Sequence, residues 1–121
     1  MIIGQSQIKH EIARVVSEKA YIQLRNQDFV DICPNPTWGI HVCMQGIDAL
    51  LVVVKIYLEQ VTVDKKELKG IIVYIRASSL TMNDLTRINS IMPRAHEIKR
   101  GLGFKPESTE TEIWIFTEEL Q

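Results

Sequence analysis

One continuous passage constrains the fold more than any other: IIVYIRASSLTMNDLTRINSIMPRAHEIKRGLGF, Ile71 to Phe104. Its opening, within Lys69–Ser78, is rich in β-branched residues and reads as a buried strand. Thr81 or Ser79 then caps a helix, and Asp84 in the first turn suits the helix dipole. Leu85, Ile88, Met92, Ala95 and Ile98 recur at helical spacing and predict its buried stripe. Pro93 inside that stripe predicts a kink or a split in two. Gly101 or Gly103 reads as the stop.

The flanking segments extend this into a domain. Ser6–Gln27 predicts a first helix, with Ile8, Ile12, Val15, Val16 and Ala20 on one face. Phe29–Cys33 predicts a short strand ended by Pro34-Asn35-Pro36, and Ile40–Gln45 a second strand. Ala49–Val63, ALLVVVKIYLEQVTV, reads as a long β-branched strand. The polar turn Asp64–Glu67 would fold it back on Lys69–Ser78 as a hairpin. Glu112–Thr117 predicts the last strand. The expected fold is α+β: two layers, a mixed or antiparallel sheet of four to five strands, and two helices on one face, in the order α-β-β-β-β-α-β.

A length of 121 residues suits a single domain spanning residues 1–121, large enough for a core without metal or disulfide support. Fourteen basic side chains meet 15 acidic ones, a net charge of -1, which argues against a general nucleic-acid-coating protein. The start MIIGQSQIKHE lacks a signal-peptide core, ALLVVV is too short to cross a bilayer, and there are only two cysteines. The expectation is a cytoplasmic protein with no membrane association.

In the expected hairpin, Val54, Ile56 and Leu58 share a core face with Ile71, Val73, Ile75 and Ala77. On the other face Tyr57 stands opposite Tyr74, and Lys55 opposite Arg76. Two like charges directly opposite are unfavourable unless neutralised, so this face predicts contact with an anionic ligand, an acidic partner or a second copy. The helix adds Arg87, Arg94 and Arg100. From Arg76 to Lys105, six basic side chains meet only Asp84 and Glu97, a pattern that also fits contacts with nucleic-acid phosphates.

Two metal readings stand beside this. Gly46-Ile47-Asp48 and Glu67-Leu68-Lys69, with Glu11 on the first helix, resemble the PD-(D/E)XK nuclease core, whose element order is also similar. That resemblance implies Mg²⁺ held by Asp48 and Glu67, with Lys69 beside the developing anion. A single 15-residue strand between the two acids would instead hold them up to about 50 Å apart. Cys33, His41 and Cys43, with His10, are weaker zinc candidates, because their spacing follows no strong zinc signature. The ending HEIKRGLGFKP resembles the close of GNAT acetyltransferases, but their pyrophosphate loop is absent. GLGF also resembles the carboxylate-binding loop of PDZ domains, although here it is expected after a helix. No catalytic constellation forms, so the expected function is non-enzymatic association, through a homodimer or an anionic or acidic macromolecular partner. The alternative is a nucleic-acid-binding or nuclease-like domain.

Overall fold

The computed structural model describes residues 1–62, 67–106 and 108–120. The described elements follow the order β1 (Ile2–Ile3), α1 (Gln5–Ser17), β2 (Ala20–Ile22), α2 (Asn26–Ile32), β3 (Trp38–Gln45), α3 (Ile47–Val61), β4 (Leu68–Ala77), α4 (Met82–Ile91), β5 (Ala95–Phe104) and β6 (Glu110–Glu119). The strands form one six-stranded sheet in the order β1-β3-β6-β4-β5-β2. Only β4 and β5 run parallel, joined through α4; the other pairs are antiparallel. The last strand, β6, lies between β3 and β4.

The α+β class holds, with more strands and helices than expected and three layers rather than two. One face of the sheet offers Ile40, Val42, Ile71, Val73, Ile75, Ile113 and Ile115 to Leu50, Val54 and Leu58 of α3 and Ile88 of α4. The other offers Ile72, Tyr74, Trp114 and Phe116 to Ile8 and Val15 of α1 and Phe29 of α2. A sheet buried on both faces explains the near-continuous apolar runs of β4 and β6.

Four segments depart from the sequence reading. Ser6–Gln27 is not one helix: α1 ends at Ser17, Ala20–Ile22 pairs with β5 as β2, and Asn26 already opens α2. Ala49–Val63 is not a strand: α3 occupies Ile47–Val61. Leu50, Val54 and Leu58 fall one turn apart on the sheet side, so burial of that stripe overrides the β preference of the valines and isoleucine in ALLVVVKI. The expected turn at Asp64–Glu67 lies largely outside the described residues. Phe29–Cys33 belongs to α2, where the Asp28 carboxylate accepts from Arg25 N at 2.9 Å and Phe29 is buried. Ala95–Phe104 is a strand rather than the second half of a helix. Pro93 forces Met92 to an extended φ of -70° and ψ of 139°, and α4 ends there.

The cap of α4 is as expected: Thr81 Oγ1 accepts from Asp84 N and Asp84 Oδ2 from Thr81 N, each at 3.0 Å.

Candidate functional site

Alternation along the strands places polar side chains on the α1 face of the sheet. In one cross-strand row His41, Trp114, Tyr74 and Gly101 stand side by side on β3, β6, β4 and β5. In the next row stand Cys43, Glu112, Arg76 and Gly103. Helix α1 and the residues after it lie across these rows and bring Glu11, Arg14 and Glu18 to them.

Glu112 is the centre. Its side chain is only 5% exposed, and three basic groups reach it. His41 Nε2 donates to Oε2 at 2.6 Å. Arg76 Nη2 and Nε donate to Oε1 at 2.6 and 3.1 Å, and Lys105 Nζ stands 3.6 Å from the same oxygen. Burial alone would raise this carboxyl, but the hydrogen bonds and positive charges of His41 and Arg76 outweigh it and hold it down at about 2.

Arg76 bridges outward to Glu18, Nη1 to Oε1 at 2.8 Å. Desolvation works against its charge, yet Glu112 and Glu18 together hold the guanidinium above its ordinary range. The Tyr74 hydroxyl donates to Glu18 Oε2 at 3.1 Å, and burial followed by the Glu18 charge pushes the phenol up. His41 stacks on Trp114 with centroids 4.5 Å apart and planes 10° apart. Arg76 covers the same indole at 5.5 Å, a cation–π contact, while Trp114 Nε1 donates to Glu11 Oε2 at 3.1 Å.

At the rim, Cys43 Sγ donates to Glu110 Oε2 at 2.9 Å and Lys105 Nζ reaches the same oxygen at 3.0 Å. Burial, then the Glu110 hydrogen bond, raises the Cys43 thiol; burial and the Glu118 charge push Cys33 up to about 12. Both sulfurs are therefore held as thiols, poorly suited to nucleophilic attack. The network is a charge-balanced clamp that ties α1 to three strands. Its acids and bases are spent on one another.

The sequence candidates fall as follows. Lys55 and Tyr57 lie on α3, and Tyr74 and Arg76 face α1 across the sheet, so the expected four-residue anion patch does not form. The anion that answers Arg76 is internal: Glu112 and Glu18. Arg87 pairs with Asp48 at 2.5 Å, Arg100 Nε donates to Asn89 Oδ1 at 2.6 Å, and Arg94 is exposed. Asp48 opens α3 and Glu67 follows its far end, about 20 Å of helix away. Glu11 is on the opposite side of the sheet, and Lys69 pairs with Glu118 at 3.3 Å. The nuclease-like set of Glu11, Asp48, Glu67 and Lys69 is thus dispersed.

His41 and Cys43 share a face of β3, but Cys33 caps the end of α2 within an apolar cluster. Among the described residues no group of three or more His, Cys, Asp or Glu side chains converges to hold a metal ion. The role of Glu112 and Glu18 escaped the sequence reading. Its one local signal is an acid two residues before Trp114 in an otherwise apolar strand, on the face shared with His41.

No family model matches the sequence, and no curated protein matches it. Solved structures do. The chain is similar in fold to CetZ from Methanosaeta thermophila strain DSM 6194. The TM-score is 0.54 over 96% of this chain, at 17% sequence identity. The matched region is 35% of that protein's length, so the chain spans about a third of it. At this identity the likeness describes the fold alone.

Proposed function

We propose that this chain is a non-enzymatic interaction domain that docks another protein on the outer side of α3. The observation that supports this reading is the composition of that helix. Leu50, Val54 and Leu58 face the sheet, yet the opposite side carries Ala49, Val52 and Ile56 where a surface helix carries polar residues. Val52 is 62% exposed and Ile56 50%. Lys55, Glu59 and Gln60 border the strip, giving an apolar centre with a polar rim, the pattern of a protein-binding surface. On the other face of the sheet, the clamp around Glu112 pairs its acids and bases with one another.

A photo-crosslinking amino acid at position 56, introduced into the chain in its own cell, tests the reading. Adducts with a discrete protein, lost when Val52→Glu is added, are expected. Adduct formation no greater than from exposed Lys9 would overturn it.

A further inference from the structure

β5 is an edge strand along most of its length. β2 pairs with it only at Leu102 and Gly103. Beyond Ile22 the chain leaves the edge, since Leu24 lies over Gly101 on the α1 face. From Ala95 to Gly101 no described strand covers the outer side of β5. An uncovered edge carries free backbone donors and acceptors and is a template for another strand.

We infer that this edge is a homodimer interface, in which β5 of two copies pair antiparallel about a two-fold axis at Ile98. The open stretch runs from the start of the strand at Ala95 to the point where β2 begins, so Ile98 is its midpoint. An axis there sets Ala95 against Gly101 of the second copy and ends the ladder where each β2 starts. The contact is isologous and closes after two copies.

Charge selects the same register. With Ile98 on the axis, Glu97 of each copy stands directly opposite Lys99 of the other, giving two cross-strand pairs of opposite sign. Both residues lie on the α1 face, in register with Gly70 and Ile72 of β4. A slip of two residues in one direction sets Lys99 against Lys99, and in the other Glu97 against Glu97. A slip of one residue moves every side chain to the wrong face. Charged residues on an edge normally block indiscriminate pairing; Glu97-Ile98-Lys99 blocks the neighbouring registers and permits one. Neither Glu97 nor Lys99 has an ion-pair partner among the described residues of its own chain, unlike Lys69, Arg76 and Lys105.

Sedimentation of the purified chain decides the matter. Wild type is expected as a dimer, and Glu97→Lys and Lys99→Glu each as monomers, weakened at least about tenfold in self-affinity. Mixing the two variants restores a one-to-one dimer, because each copy then meets its opposite, and the double variant Glu97→Lys/Lys99→Glu dimerises by itself. Rescue by mixing also excludes misfolding of either single variant. Val52→Glu with Ile56→Glu leaves the dimer intact, which separates this interface from the α3 surface. A wild-type chain that stays monomeric at all concentrations, single variants that remain dimeric, or the absence of rescue in both the mixture and the double variant would overturn the inference.

Discussion

The phenol of Tyr74 lies over Gly103, in the space that a side chain on residue 103 would fill. The neighbouring Gly101 gives the same room to the Tyr74 ring edge and to Leu24, whose Cγ would stand 2.6 Å from an added Cβ. The two glycines of RGLGF are therefore spacers within a strand. They let Tyr74 lean across β5 and reach Glu18, which couples the sheet to the residues after α1.

Gly103→Ala should displace the Tyr74 hydroxyl and break its hydrogen bond to Glu18. Overpacking of this kind costs about 1–3 kcal/mol. Urea denaturation checks it, and Tyr74→Phe in the same chain should recover part of the loss. No change in midpoint for Gly103→Ala would contradict the geometry.

Glu112→Gln should be among the most destabilising polar substitutions. It leaves His41 without its carboxylate and Arg76 with Glu18 alone, both with little solvent, at a cost of about 3 kcal/mol. For a domain of this size that lowers the melting temperature by roughly 10–15 °C. The double variant Glu112→Gln/Arg76→Met should lose less than the two singles combined, a coupling of at least about 1 kcal/mol by double-mutant cycle.

Acid should weaken the fold within a defined window. The Glu112 carboxyl is held at about 2 in the folded chain, against an ordinary value of 4.5. A folded-state value below the unfolded one means that stability is present above the ordinary value and is lost as pH falls through 4.5 toward 2. The full contribution is roughly 3 kcal/mol. Urea midpoints measured between pH 5 and about 2 by tryptophan fluorescence should fall steeply in wild type and more gently in Glu112→Gln.

Val52→Glu and Ile56→Glu should leave folding stability within about 0.5 kcal/mol of wild type, because both side chains are exposed and glutamate is at least as good a helix former. Thermal melts check this. A loss of several kcal/mol would mean that the strip packs within the chain rather than serving a partner.

Several elements were legible because their signals are local. The α4 cap needs only Thr81 and Asp84 three residues apart, and β4 announces itself by the unbroken apolar run Ile71–Ile75, rich in β-branched residues. Besides Ser6–Gln27, which divides into α1, β2 and the start of α2, three segments were misread where a local signal pointed two ways. ALLVVVKIYLEQVTV has β propensity and helical length, and its length was the better guide: 15 residues exceed an ordinary strand. HEIKRGLGF continued the spacing of α4 only by coincidence, while Pro93 had already marked the boundary. Phe29–Cys33 was too short for periodicity to decide.

The candidate site divides in the same way. Sequence singled out Arg76 as a charge in need of an answer and His41 as a weak metal ligand, but the carboxylate that meets both can come from anywhere in the chain. Glu112 is 36 residues from Arg76 and 71 from His41, and Glu18 is 58 from Arg76. By itself the sequence determined the class of fold, the capped helix after β4, and the alternation that puts Glu112, Trp114 and Phe116 on one side of a strand, because these follow from backbone geometry over a few residues. Only the tertiary structure decided that β6 enters between β3 and β4, that α3 is a helix with an uncovered apolar side, and that the charges of Arg76 are answered from within. Strand order and long-range ion pairs are set by the burial of whole faces against one another, and no short stretch of residues contains that information.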